Sequence, residues 1–369
     1  MILDTDFIAH QYDSVEQATF TCEAPSNIAL VKYWGKKELL LNSEKSSAKQ
    51  IPANPSISFT LQNCKTITKT QFTKINQTND FSFELLFEGK PKPTFNDKIL
   101  DFLKRIELYC PYLKEYHIAI DSQNTFPHSS GIASSASAMA ALAMNIMCLE
   151  KELNKALTDE LFDKKASFLA RLGSGSACRS IKGQVVIWGS NETSLESSDL
   201  FGVPFYNLHQ NFKNYQDTIL LVDKGEKQVS STVGHNLMIN HPFAQKRFEQ
   251  AHENLSKMCA VLSSGDVESF IKIVESEALT LHAMMLTSMP YFILMKPNTL
   301  GIINKIWQFR AETSIPVCFT LDAGANVHVL YPENTKEKVL QFIKAELVDY
   351  CQNGQYICDQ IGNGAQQLN

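Results

Sequence analysis

The sequence predicts an α+β protein built as two domains. Three observations lead there. The chain has 369 residues, long for a single hydrophobic core and suited to about two domains. Strand-like and helix-like segments mix along it without regular strand–helix–strand alternation, which argues for the α+β class. A stretch at 189–215 carrying Gly, Asn, Ser and Pro separates two halves that each hold both kinds of segment. The expected division is 1–205 and 206–369.

In the first half, 66–72 (TITKTQF) and 81–87 (FSFELLF) are rich in β-branched and aromatic residues and read as strands. Ile99, Phe102, Leu103 and Ile106 follow the spacing of an amphipathic helix. Residues 116–121 (YHIAID) return to strand character. The Ala- and Met-rich run 134–150 has no helix breaker and reads as a buried helix, and 185–188 (VVIW) as a further strand. In the second half, 217–223 (DTILLVD) reads as a strand, followed by helical stretches at 244–262, 265–285 and 298–312. Strands at 316–321 and 327–331 flank the DAGAN segment, and a helix over 334–348 follows. No internal repeat is visible.

Composition excludes several function classes. Lys and Arg number 34 against 39 Asp and Glu, a formal charge of -5. Nucleic-acid binding normally needs a basic stripe, because phosphate contacts dominate affinity. The densest basic group here is Lys32, Lys36 and Lys37, beside Glu38, which suits a small anionic ligand. Nine cysteines stand singly from Cys22 to Cys358 with no C-x-x-C pair, so neither zinc nor a redox dithiol is indicated. Cys148 and Cys259 sit among apolar residues as small hydrophobes. A reducing compartment follows. The N-terminal segment lacks the apolar run of a signal peptide, and no stretch approaches the length of a membrane span. The expected location is cytoplasmic.

Four segments carry chemistry. His128 to Ser137 (HSSGIASSAS) combines small residues, hydroxyls and the start of a helix, which suits a phosphate. It lacks the Gly-Lys of a Walker loop, and a plain capping loop is the alternative. Gly173 to Ser180 (GSGSACRS) makes a second backbone cradle, with Arg179 as a fork for a carboxylate or phosphate; a structural turn is its alternative. Ala24 to Lys36 places an aromatic pair between two lysines, either walling a pocket or ending a strand. Asp322, at the end of an apolar strand entering a Gly turn, reads equally as a general base or a turn cap. His282, on a Leu- and Met-rich helix, and His328, within a strand, read as packed structural residues.

Taken together these segments resemble the GHMP kinase superfamily and, within it, the mevalonate diphosphate decarboxylases. APSNIALVKYWGKK, NPSISFTL, NTFPHSSGIASSASAMAAL, RLGSGSACRS, VSST and DAGAN stand in that family's order and approximate spacing, between about residues 19 and 365. The resemblance implies an N-terminal ATP-binding domain over 1–205, a C-terminal domain over 206–369, both GHMP-kinase-like, and a deep cleft between them. It implies a lyase of isoprenoid biosynthesis that uses ATP and Mg²⁺, with no metal-ligating side chain assigned. Mevalonate 5-diphosphate is phosphorylated on its 3-hydroxyl, then loses phosphate and carbon dioxide to give isopentenyl diphosphate. No nucleic-acid or membrane partner is expected, and a homodimer is expected by analogy.

Carried over by position, Asp322 takes or orients the hydroxyl proton and Lys32 lies near the reacting phosphate. Arg179 holds the substrate carboxylate and is hydrogen-bonded by Asn27. Tyr33, Trp34, Gly35, Lys36, Ser174, Gly175, Ser176, Ala177, Cys178, Ser231, Thr232 and Lys98 fall at substrate positions. Ser130, Gly131, Ala133, Ser134 and Ser135 fall in the nucleotide phosphate loop. Four departures stand out: Ala325 where relatives have Pro, a longer segment after Lys37, Lys98 where an Arg is common, and HSSGIASS where TAAGLASS is common. A sister kinase acting on mevalonate or its 5-phosphate, or a silent ligand-binding homologue, are the alternative readings.

Overall fold

The computed structural model of the chain describes residues 2–37, 50–76, 78–127, 132–225 and 231–369, and of 231–232 the backbone alone. The segment after Lys37 and the loop residues Ser130 and Gly131 lie outside the described residues.

Two sheets organise the molecule. The larger is formed by β1 (Gln17–Val31), β2 (Ser56–Lys74), β3 (Ser82–Phe87), β4 (Lys90–Pro91), β5 (Tyr116–Asn124), β6 (Val185–Trp188), β7 (Val203–Pro204) and β12 (Gln366–Gln367). Its order is β12-β1-β2-β5-β3-β4, with β6 on β2 and β7 on β6; the β3–β5 pair is parallel. The smaller sheet is antiparallel, in the order β11 (Tyr356–Gln360), β8 (Gln216–Leu220), β10 (Val327–Tyr331), β9 (Cys318–Thr320).

β2 is far longer than the strand expected at 66–72. Its first residues pair with β6, Ser56 opposite Trp188, while Thr66–Lys74 pair with β5. One strand therefore serves two neighbours in succession, and its start reaches the aromatic and basic residues of the site.

β1 escaped the sequence reading. Pro25 interrupts its strand pattern, and the pairing with β2 shifts register between Pro25 and Asn27. A bulge absorbs the proline, whose missing N–H would otherwise leave a gap in the ladder.

Among the described residues eight helices pack on the sheets: α1 (Asn96–Ile106), α2 (Ser134–Leu153), α3 (Asp159–Gly173), α4 (Ser231–Asn236), α5 (Ala244–Ser264), α6 (Val267–Leu286), α7 (Pro297–Thr313) and α8 (Lys336–Phe342). α2 is buried nearly all round, as its Ala- and Met-rich composition implies. α3 was also missed. Its buried face includes Lys165, whose ammonium is bonded to Glu150 at 2.6 Å, so a charge interrupts the apolar stripe. Thr158 caps its start, accepting from Leu161 N–H at 3.2 Å.

The two sheets share a core. Ile28, Leu30, Ile57 and Phe59 of the larger sheet pack in one cluster with Tyr215, Ile219, Leu255 and Phe270 of the second half. Buried Asp359 on β11 accepts the backbone N–H groups of Asn63 and Cys64 at 2.9 and 2.8 Å. Apolar burial and charge-assisted hydrogen bonds thus join the halves.

Candidate active site

Lys32 is the first residue beyond β1, and Asp322 the second beyond β9. The fold brings them together: Lys32 Nζ lies 2.9 Å from Asp322 Oδ1, the lysine side chain 2% exposed and the aspartate 32%. The turn at Asp322 is closed by backbone, Gly324 N–H donating to the Asp322 carbonyl at 2.7 Å. Its carboxylate lies partly open beside a buried cation.

Several contacts pin this turn. His282 Nε2 donates to the Asp322 carbonyl at 3.1 Å. Burial, the dominant cause, pushes the His282 pKa down to about 4, so the ring is neutral at pH 7. The Thr299 hydroxyl donates to the Ala325 carbonyl at 2.7 Å, and Asn326 Oδ1 accepts Asp223 N–H at 2.9 Å. These bonds fix the turn although Ala325 lacks proline's rigidity. His282 is a packed histidine, as expected, with a second role on the backbone of Asp322. His328 is structural too, paired with buried Asp217 at 2.7 Å.

The main chain of Lys32 is held from two sides. Glu277 Oε2 accepts its N–H at 2.8 Å, and Asn54 and Arg247 donate to its carbonyl at 2.9 and 3.0 Å. Arg247 grips Glu277 through both terminal nitrogens, at 2.9 and 2.6 Å. None of these three partners was read from sequence. The available signal was a carboxylate inside the apolar stripe of Val274, Ala278 and Leu281.

Arg179 ends a 3-10 turn, Gly175–Ser180, and is 3% exposed. Its Nε donates to Ser58 Oγ at 2.5 Å and its Nη1 to Ser56 Oγ at 2.7 Å, both serines at the start of β2. Among the described residues Nη2 has no partner. With the second hydrogen of Nη1 it forms an end-on edge suited to a carboxylate. Trp188 lies under the guanidinium, 5.7 Å from its ring centroid.

The expected bond from Asn27 to Arg179 is not formed. Asn27 Nδ2 donates to the Ser180 hydroxyl at 2.8 Å and the Ser176 carbonyl at 3.2 Å. It holds the turn that carries Arg179, because β1 runs beneath that turn. Ser174 and Ser176 are half-buried, but the side chains of Ala177 and Cys178 point into the interior. Burial pushes the Cys178 thiol up to about 12, so it is inert. Gly175 is needed where it stands: a Cβ there would lie 3.0 Å from Trp188 and 3.1 Å from Tyr33.

Tyr33, Trp34, Gly35 and Lys36 line the opposite wall, all largely buried. Tyr33 meets Trp188 edge-on at 4.6 Å. The Trp34 indole N–H is buried without a protein partner among the described residues, a donor left for a ligand. The backbone of Ser231 and Thr232 opens α4, which follows this wall; their side chains lie outside the description.

At the nucleotide loop, Ala133 takes a left-handed conformation (φ 39°) before α2. The first turn of α2 has no side-chain cap and no acidic residue, and Ser134 and Ser135 are at least partly exposed. Uncapped N–H groups at the positive end of a long helix suit a phosphate. Lys98 stands apart. It lies on the exposed side of α1 with its ammonium 5.8 Å from the Phe95 ring, and among the described residues no hydrogen bond or ion pair joins it to the cluster around Asp322.

Two family models match the chain: diphosphomevalonate decarboxylase-like N-terminal domain over residues 24–199 and mevalonate 5-diphosphate decarboxylase C-terminal domain over 218–367. The diphosphomevalonate decarboxylase of Saccharomyces cerevisiae is 30% identical over 343 residues, 88% of this chain and 81% of its own. Among solved structures, the mevalonate diphosphate decarboxylase of Enterococcus faecalis, described with mevalonate diphosphate mediated ATP binding, matches with TM-score 0.78 and 28% identity, covering 96% of this chain and 99% of its own. MDDEF in complex with MVAPP, AMPPCP and magnesium matches with TM-score 0.79 and 29% identity, at the same coverage of 96% and 99%.

Proposed function

The chain belongs to the diphosphomevalonate decarboxylase family and is an ATP-dependent lyase acting on mevalonate 5-diphosphate; we propose that Asp322, Lys32 and Arg179 carry that reaction. The observation that bears most weight is the Lys32–Asp322 pair at 2.9 Å. The carboxylate beside that ammonium is the group that accepts the proton in this reading. The tertiary 3-hydroxyl then loses its proton to Asp322 as its oxygen bonds to phosphorus and ADP departs. Carbon–carbon and carbon–oxygen bonds next break together, giving carbon dioxide, phosphate and the double bond of isopentenyl diphosphate. Arg179, oriented by Ser56 and Ser58, holds the carboxylate so that its electrons flow toward the leaving phosphate.

ATP supplies the phosphoryl group and Mg²⁺ neutralises its charge. The residues fit both. Ala133, Ser134 and Ser135 at the start of α2, with Ser130 and Gly131, would hold the nucleotide phosphates. No cluster of His, Cys, Asp or Glu able to cage a metal occurs among the described residues. Tyr33, Trp34, Gly35, Lys36, Ser174, Gly175, Ser176, Ser231 and Thr232 would surround the substrate, with Ala177 and Cys178 contributing backbone only.

The division at 205/206 is supported by the strands up to β7 joining the larger sheet and β8 opening the smaller, although β12 returns from the second half to pair with β1. A homodimer and a cytoplasmic location complete the reading. The location is supported by nine unpaired cysteines, and no described helix is long and apolar enough to cross a membrane. Light scattering of the purified protein tests the dimer.

The deciding assay supplies Mg-ATP with mevalonate, its 5-phosphate or its 5-diphosphate and follows carbon dioxide. The diphosphate is expected to give the highest kcat/KM. Faster release from either other compound overturns the reading.

A further inference from the structure

His235 lies on α4 and is 7% exposed. Its Nδ1 is 3.0 Å from Gly35 N and accepts that N–H. Its ring centroid stands 4.3 Å from Tyr33 and 5.0 Å from Trp34, so the imidazole packs against both aromatic residues of the substrate wall. The preceding residue, Gly234, permits this approach: a Cβ there would lie 2.4 Å from Trp34 Cη2.

The turn it touches is special. Gly35 has φ +96°, a conformation glycine adopts without strain. On the other side, Asn54 Oδ1 accepts Trp34 N–H at 3.2 Å and the Gly35 carbonyl accepts Ala53 N–H at 3.1 Å. Those bonds join the turn to its own half of the chain. The His235 bond joins it to the second half, 200 residues away.

We propose that His235 is a positioning residue for mevalonate 5-diphosphate, holding the Tyr33–Lys36 turn in register with α4 through a neutral Nδ1 acceptor. The inference rests on the substrate reading above. Accepting at Nδ1 requires the proton on Nε2. Burial, then the charges of Lys36 and Arg179, pushes the His235 pKa down to about 3, so the acceptor persists at neutral pH. The ring sets the two aromatic side chains and the acceptor sets the backbone between them. Lys36 therefore enters the pocket from a fixed origin.

The test compares His235→Leu, His235→Asn and His235→Gln with wild type, using mevalonate 5-diphosphate and Mg-ATP as titrants. Leucine removes the acceptor; Asn replaces it near Nδ1, and Gln near Nε2. His235→Leu is expected to raise KM for the diphosphate about 2–10-fold, the range for one hydrogen bond, with KM for ATP unchanged. His235→Asn should recover part of that loss and His235→Gln less. Equal KM in Leu and wild type, or equal rises for both substrates, overturns the proposal. If Leu does not fold, the Asn–Gln comparison decides, and equal values overturn it. Histidine-selective nitrogen NMR of the wild type should show a neutral Nε2–H ring at neutral pH; a cation or the other tautomer overturns the acceptor role. Wild-type enzyme that ignores the diphosphate would instead overturn the substrate reading, while the NMR result would still report on the bond.

Discussion

Glu277 Oε2 lies 2.8 Å from the backbone nitrogen of Lys32, so a carboxylate on α6 fixes the main chain that carries the lysine paired with Asp322. Arg247 neutralises that carboxylate and reaches the Lys32 carbonyl as well, and both ionic side chains are 0% exposed. Breaking such a pair strands a charge in the interior, whereas replacing both members with apolar groups can be nearly neutral.

Glu277→Leu is therefore expected to lose about 3–5 kcal/mol of stability in urea unfolding. The double variant Glu277→Leu/Arg247→Met should regain most of it. Its kcat should stay about tenfold or more below wild type, the scale of a misplaced catalytic group. Recovery of both stability and kcat would show that the clamp does not position Lys32.

Asp322→Asn removes the proposed base and leaves the Lys32 ammonium without its counter-charge. Substrate affinity by equilibrium binding should hold, while kcat falls by about 10²–10⁴, the usual worth of a placed base. Near wild-type kcat would exclude Asp322 as the proton acceptor.

Arg179→Lys keeps a charge but loses the fork, and cannot satisfy Ser56, Ser58 and a carboxylate together. Carbon dioxide release should slow by roughly 10–150-fold, corresponding to about 1.5–3 kcal/mol for a hydrogen bond to a charged group. ADP formation should slow less, so 3-phosphorylated intermediate accumulates in a rapid-quench turnover. Equal slowing of both products would remove Arg179 from the elimination step.

His282 gives a pH signature. Its folded pKa of about 4 lies below the ordinary 6.5. Between those values the unfolded chain binds the extra proton, so stability is lost as pH falls from 6.5 toward 4, at a slope approaching about 1.4 kcal/mol per unit. Above 6.5 the term vanishes. His282→Gln, which retains a donor for the Asp322 carbonyl, should flatten the wild-type slope over that window in urea midpoints; an unchanged slope would refute the neutral buried ring.

All nine thiols are unpaired and only Cys358 is exposed. One fast-reacting thiol is expected in the native protein and close to nine after unreduced denaturation. Five or fewer on denaturation would contradict a reducing compartment.

By itself the sequence determined the α+β class, most helices, and the motifs bearing Lys32, Arg179 and Asp322. Each is a local property: a period of apolar residues, or a short run whose side-chain chemistry is read in place. Tertiary structure decided how those residues are held. The partners of Lys32 lie 245 and 290 residues away at Glu277 and Asp322, and no local pattern relates them. It also decided that Asn27 holds the Ser176–Ser180 turn while Ser56 and Ser58 hold Arg179, because β2 is long enough to carry its first residues under the guanidinium. β1 and α3 stayed hidden because Pro25 and Lys165 violate local rules. Their costs are met by a register shift in one case and by the carboxylate of Glu150 in the other. Hydrogen bonds and buried ion pairs act over a few ångströms of space, whatever the distance along the chain, and only the folded backbone sets which groups meet.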